Sequence, residues 1–205
     1  SSDLVKNDSR KVEKGDLFIS IKGYEADGAD YIGDAIEKGA IAVLVEEGTN
    51  LKELKIKEDT TLIVVPDARK AMAQIACNYY DNPSRKFQLI GITGTKGKTT
   101  TTYMVKSMLE KKGLKVGLIG TIRNYIGAES LGDSQRTTPE SLELQEIFAK
   151  MAEAKCDVVI MEVSSQSLKL NRVYGSDFNI GIFTNLSEEH ISEKEHADMK
   201  EYFET

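Results

Sequence analysis

GITGTKGKTTTT, residues 91–102, is the stretch on which the reading of this chain turns. The preceding run, from Phe87 through Thr93, reads as a buried strand. It enters a turn holding Gly94 and Gly97, and Lys98-Thr99 then opens a segment with helical periodicity. Strand, glycine turn, Gly-Lys-Thr and helix is the arrangement that lets backbone N–H groups wrap a polyphosphate. The glycines permit close backbone approach, Lys98 can reach the β- and γ-phosphates, and the Thr99 hydroxyl can ligate Mg²⁺. The general phosphate-loop pattern wants glycine five residues before the Gly-Lys pair, where this chain has Ile92. Glycines at 91, 94 and 97 argue against an ordinary GTPase or transport ATPase and point to a narrower, ligase-type loop.

Composition bounds the rest. At 205 residues the chain has room for one large domain or two small ones. With 40% hydrophobic and 29% charged residues it has the make-up of a soluble globular protein. A net charge of −6 leaves no basic footprint for nucleic acid, so anionic ligands must be bound locally. The longest apolar runs, residues 40–45 and 158–163, are too short to span a bilayer. No signal peptide is visible at the N-terminus. Cys77 and Cys156 fall in predicted helical context and read as buried thiols in a reducing cytoplasm.

Along the chain, residues 16–22 (DLFISIK) alternate as a half-buried strand does, and residues 30–38 follow as a helix closed by Gly39. Strands are predicted at 40–46 and 60–65, then a helix from Pro66-Asp67 to about Tyr80 with Asp67 as N-cap. Residues 52–59 (KELKIKED) read as a solvated charge run. Asp81-Asn82-Pro83-Ser84 is the strongest breaker cluster, and it predicts a boundary between a small α/β domain, 1–84, and a second domain, 85–205. The second domain alternates strictly: strand 87–93, helix 99–112, strand 115–121, a polar loop, helix 139–154, then strands 157–163 and 179–184. That order predicts a parallel sheet with helices on both faces and ligand groups at the carboxyl ends of its strands. Residues 198–205 read as the start of a helix with no strand after it, so the expectation is a fragment of something longer.

Four clusters fall at the predicted crevice. The first is the phosphate loop. The second is Arg136-Thr137-Thr138-Pro139-Glu140, for which a plain helix start, capped by Thr138, accounts for only part. The third is Met161-Glu162-Val163-Ser164-Ser165-Gln166, where a carboxylate at the end of a buried strand is costly unless paired or metal-bound. In phosphate-loop enzymes such a residue holds Mg²⁺ directly or through water. The fourth is Phe183-Thr184-Asn185-Leu186-Ser187-Glu188-Glu189-His190, which points to metal ligation or phosphate contact by His190. His196 has no such context and reads as a surface residue.

In this order the clusters resemble the Mur ligases, ATP-dependent amide-forming ligases of peptidoglycan precursor synthesis. The resemblance is nearest to the branch acting on UDP-N-acetylmuramoyl-L-alanyl-D-glutamate (UDP-MurNAc-L-Ala-D-Glu), which adds the third residue of the stem peptide. It rests on GTKGKTTT at 94–101, GTI at 120–122, TTPE at 137–140, MEVSS at 161–165, Arg172-Val173, and FTNLS with His190. Upstream, Asp8-Ser9-Arg10, Lys14-Gly15-Asp16-Leu17-Phe18 and Gly23-Tyr24-Glu25-Ala26-Asp27-Gly28 look like that family's uridine-nucleotide domain. The fold implied is α/β, a small uridine-nucleotide-binding domain followed by a truncated phosphate-loop ATPase domain with a parallel sheet.

The resemblance implies roles residue by residue. Gly94, Thr95, Lys96, Gly97, Lys98, Thr99 and Thr100 would hold the ATP phosphates. Thr99 and Glu162 would ligate a bridging Mg²⁺, and His190 a second. Lys98, Glu162 and His190 would be the catalytic set. Thr137, Thr138, Ser164 and Arg172 match positions that hold the muramoyl dipeptide, and Ser9, Tyr24, Glu25 and Ala26 match positions around the UDP moiety. A free diamino acid would be the second substrate, in the cytoplasm. Gln166, Glu189 and Leu170 depart from the family's usual His, Asp and Gln, and its carbamylated lysine would fall just past Thr205. A related ATP-dependent ligase, of folylpolyglutamate or cyanophycin synthetase type, and a non-catalytic nucleotide-binding module are the alternatives. No side-chain nucleophile is needed for this chemistry, and oligomeric state is not legible.

Overall fold

The structure, a computed structural model, describes residues 4–23, 26–51, 56, 59–192 and 195–205. It divides into two compact units, Ser1–Met72 and Ala73–Thr205. The division falls ahead of the 81–84 breaker cluster, where Asp81 and Asn82 take left-handed φ values of 58° and 46° and Pro83–Lys86 form a 3-10 turn.

In the first unit β1 (Val5–Lys6), β2 (Leu17–Ile19), β3 (Ala42–Glu46) and β4 (Thr61–Val65) form a parallel sheet in that order. The two-residue β1 is too short for any periodicity to announce it. Helix α1 (Ile32–Glu37) is shorter than predicted, because residues 28–31 wind as a 3-10 turn capped by Asp27. Phe18, Ile32, Ala35, Ile36, Val43 and Val45 make its core. Helix α2 (Ala68–Tyr79) starts as expected, with the Asp67 carboxylate accepting the Lys70 N–H at 2.9 Å. The 52–59 charge run lies largely outside the described residues.

The second unit contains β5 (Gln88–Thr93), α3 (Lys98–Lys111), β6 (Val116–Ile119), β7 (Arg123–Ile126), β8 (Glu129–Asp133), α4 (Ser141–Glu153), β9 (Val158–Glu162), α5 (Ser165–Lys169), β10 (Ile180–Phe183) and α6 (Met199–Glu204). Its sheet runs β10-β5-β9-β6-β7-β8. The first four strands are parallel, as the strand–helix alternation predicted. The polar loop of the sequence reading folds instead as the antiparallel hairpin β7–β8, so the sheet is mixed. Every residue of β8 is exposed, which is why no apolar pattern marked it.

Strand β9 lies between β5 and β6, and all five of its residues are buried. Side chains alternate across a strand. Val159 and Met161 therefore join Leu144, Phe148 and Met151 of α4 in one core. Val158 and Ile160 join Ile90, Ile92 and Val116 in the other, against Val105 and Leu109 of α3. The same parity puts Glu162, the last residue of β9, on the α3 side.

Candidate functional site

Glu162 is 1% exposed, and three donors meet its carboxylate. Thr99 Oγ1, in the first turn of α3, donates at 2.9 Å, while Thr121 donates both its N–H (3.0 Å) and its hydroxyl (3.0 Å). A buried carboxylate demands such partners. Gly120 makes the arrangement possible, since a Cβ there would lie 2.4 Å from Glu162 Oε1. Thr121 was not singled out in the sequence except inside the GTI motif, because nothing local tells a strand-end threonine from a carboxylate partner. Its hydroxyl also sits 3.1 Å from that of Thr137, bringing the second cluster to the same edge.

The predicted phosphate loop is held from the residues that follow β10. Asn185 Oδ1 accepts the Lys96 N–H at 3.0 Å, its Nδ2 donates to Lys96 O at 3.0 Å, and its carbonyl accepts the Thr95 N–H at 2.9 Å. Thr184 Oγ1 adds a bond to Lys96 O at 2.8 Å. Gly94 has φ 128° and passes so close that a Cβ would come within 2.3 Å of Thr184 Oγ1. Only glycine adopts that backbone there. Gly97 precedes α3 with φ 84°, and Thr100 is exposed on the helix's first turn. The Lys98 ammonium donates to the carbonyls of Gly94 (2.6 Å) and Thr95 (3.1 Å). Burial pushes it below the usual lysine range, while Glu162 and Glu189 pull the other way. Lys96 pairs with Glu189 at 2.6 Å, and that hydrogen bond holds the Glu189 carboxyl below its ordinary value.

His190 lies on the loop after β10, in the left-handed region at φ 62°, with Nδ1 2.9 Å from Glu195 Oε1. Among the described residues no group of three or more His, Cys, Asp or Glu side chains gathers into a metal cage. The donor set that does form is Thr99 with Glu162. A hydroxyl and a carboxylate at the carboxyl end of a strand suit a hard cation that keeps water and takes phosphate oxygens.

Thr138 does not cap a helix, because α4 starts later, with Glu140 in the N-cap position. Its hydroxyl donates to Glu162 O at 2.9 Å and accepts the Ser164 N–H at 3.0 Å. Ser164 instead caps α5, accepting the Ser167 N–H at 3.2 Å. Arg172, 8% exposed, sets Nε 2.9 Å from Glu140 Oε1 and donates to Thr138 O at 3.3 Å. These four residues therefore join the two segments beside Glu162. His196 corrects the surface reading. It is 0% exposed, and Nε2 lies 2.8 Å from Ser165 Oγ.

In the first unit Ser9 is 7% exposed, and its carbonyl accepts from Lys38 Nζ at 2.9 Å. Ala26 is exposed, and its carbonyl accepts the Gly23 N–H at 2.9 Å. Tyr24 and Glu25 lie outside the described residues.

Residues 92–205 match the Mur ligase middle domain, and residues 3–80 match the Mur ligase family, catalytic domain. The UDP-N-acetylmuramoyl-L-alanyl-D-glutamate–2,6-diaminopimelate ligase of Clostridium botulinum (strain ATCC 19397 / Type A) is 51% identical over 97% of this chain and 40% of its own length. The corresponding ligase 1 of Clostridium acetobutylicum is 55% identical over 92% of this chain and 38% of its own. A solved structure of a UDP-N-acetylmuramoyl-L-alanyl-D-glutamate–2,6-diaminopimelate ligase superposes with TM-score 0.80 at 28% identity, covering 98% of this chain and 39% of that one. The MurF ligase of Thermotoga maritima shares the fold, at TM-score 0.61 and 20% identity over 100% of this chain and 43% of that one. The chain thus spans about two fifths of the length of the curated relatives it matches.

Proposed function

This chain belongs to the Mur ligase family, and we propose that it carries the phosphate-handling part of an ATP-dependent ligase joining 2,6-diaminopimelate to UDP-MurNAc-L-Ala-D-Glu. The observation that carries the reading is the bond from Thr99, in the Gly-Lys-Thr loop, to the buried Glu162 carboxylate. The named relatives supply the substrates: they are ligases of UDP-N-acetylmuramoyl-L-alanyl-D-glutamate and 2,6-diaminopimelate.

A carboxylate of the UDP-linked substrate attacks the γ-phosphorus of ATP, a C–O–P linkage forms, and ADP leaves. The amine of the second substrate then attacks the acyl carbon and gives up a proton to water, and inorganic phosphate departs from the tetrahedral intermediate with the carboxyl oxygen it gained. Bringing two anions together is the main barrier, so fixed positive charge is the protein's principal contribution. In this reading the Lys98 ammonium exchanges the Gly94 and Thr95 carbonyls for phosphate oxygens. Residues 94–100 wrap the polyphosphate, with the N–H groups of the first turn of α3 turned to it. Thr99 and Glu162 would hold one Mg²⁺, and His190, kept in line by Glu195, would hold a second. The ions neutralise phosphate charge when bound. Thr137 and Ser164 face the muramoyl dipeptide, with Thr138 and Arg172 holding them in place. Ser9, Tyr24, Glu25 and Ala26 belong to the UDP end, in an N-terminal domain, 1–84, separate from the ATP domain, 85–205. ATP as co-substrate supports the cytoplasm as the site of the proposed reaction. No described helix is long and apolar enough to cross a membrane.

The test is phosphate release by the full-length protein with UDP-MurNAc-L-Ala-D-Glu, ATP and either diaminopimelate or lysine. Diaminopimelate is expected to support turnover and lysine not. Lys98→Ala is expected to lower kcat by about a hundredfold or more. Undiminished turnover without Lys98 would refute the reading.

A further inference from the structure

Three aromatic rings, those of His190, His196 and Tyr202, meet behind the phosphate loop, and the ligase reading uses only the first of them. Tyr202, on α6, is 7% exposed, stacked on His196 (centroids 5.0 Å, planes 29° apart) and edge-on to His190 at 5.8 Å. Its hydroxyl lies 2.9 Å from Thr95 Oγ1, inside the loop. That same Thr95 oxygen accepts the Ser187 N–H at 2.9 Å, and its other contact, to Ser187 O, is a long 3.4 Å.

His196 extends the cluster to the end of β9. Its Nε2 meets Ser165 Oγ, while its buried Nδ1 has no hydrogen-bond partner. An N–H at Nδ1 would be stranded, so the lower-energy ring is neutral with a bare Nδ1, and Nε2 donates to Ser165. The His196 N–H in turn donates to His190 O at 3.1 Å, closing the turn that displays His190. Lys169 of α5 clasps α6 through Glu201 Oε1 at 2.8 Å.

We propose that Tyr202 and His196 are positioning residues, a brace that ties Thr95 of the phosphate loop, Ser165 beyond β9 and the His190 turn into one rigid unit. The proposal deepens the ligase reading and rests on it for its kinetic consequence. Without the tyrosine hydroxyl, the buried Thr95 oxygen keeps one good bond and one long one, and the loop around it loses its fixed shape.

Tyr202→Phe deletes only that hydroxyl and keeps both ring contacts. In the full-length enzyme it is expected to raise KM for ATP roughly tenfold, the loss of about one net hydrogen bond. kcat and the KM for the UDP-linked substrate should change by less than about twofold, a split that a general loss of stability does not produce. Thr95→Val should give the same shift, and the double variant little more, because both remove one interaction. Amide exchange at residues 94–97 in the 205-residue chain reads the brace without any nucleotide, and Tyr202→Phe should accelerate it by about fivefold or more. Unchanged exchange there overturns the brace, as does an unchanged KM for ATP in an active, folded variant; a variant that unfolds outright overturns it too, as a purely structural contact. Loss of ATP-dependent phosphate release from the unsubstituted enzyme sinks the ligase reading alone, since the exchange measurement still decides the brace.

Discussion

Glu162 is the side chain on which the proposed chemistry turns. Its carboxylate accepts from Thr99 and twice from Thr121, so every nearby donor has been arranged for an anion. Glu162→Gln keeps the shape but turns one acceptor into a donor facing those same hydrogens. Nucleotide affinity measured with Mg²⁺ should fall about tenfold or more, while affinity measured in chelator should change far less. Equal losses in both titrations would show that Glu162 acts on the loop's shape and not on a metal. Arg172 raises a different question. It lies beside Glu140, with side chains 9% and 15% exposed, and bonds Thr138 O. Arg172→Ala removes the cation beside a largely buried carboxylate, and denaturant unfolding should show a loss of about 3 kcal/mol. A loss below about 1 kcal/mol, with weakened dipeptide binding, would make Arg172 a substrate contact only.

At the scale of elements, β9 explains why the site forms where it does. Its alternation sends Val159 and Met161 to the α4 core and Val158 and Ile160 to the α3 core. Glu162 then has to face α3, whose first turn carries Thr99. A one-residue slip of register would move the carboxylate to the α4 side, away from the loop. The cysteines test the packing of the elements beside this sheet. Cys77 on α2 and Cys156, in the turn between α4 and β9, are both buried and free. Burial pushes both thiols above their ordinary range. Iodoacetamide should therefore modify neither at neutral pH in the folded chain, and both in urea, as mass spectrometry can count. Rapid labelling of either in the native state would mean that its surroundings open easily.

At the scale of the whole chain, the two compact units carry separate parts of the proposed chemistry. Isothermal titration of the 205-residue chain with UDP-MurNAc-L-Ala-D-Glu should register binding that survives Lys98→Ala, because the proposed UDP contacts lie in the first unit. Absence of heat at millimolar ligand would count against Ser9 and Ala26 as contacts. The strand–helix alternation of residues 87–184 made the second unit's parallel core legible, since buried parallel strands are continuous apolar runs. The β7–β8 hairpin left no such trace, because its exposed residues carry no apolar period. Tyr24 and Glu25, read as UDP contacts, lie outside the described residues.

The order of residues alone determined that residues 91–102 make a strand end, a glycine turn and a helix start, because such a turn between an apolar strand and a helix is encoded locally. It also determined the α/β alternation, for the same reason. Tertiary structure decided the rest. It set Thr121 and Thr99 on one carboxylate, turned Thr138 from a helix cap into a strand-end clasp, and buried His196 against Tyr202. Local periodicity reports which face of an element is apolar, whereas the partner of a polar group is set by contacts between residues distant in the chain. Glu162 and Thr99 are 63 residues apart, and only the packing of α3 against β9 makes them neighbours.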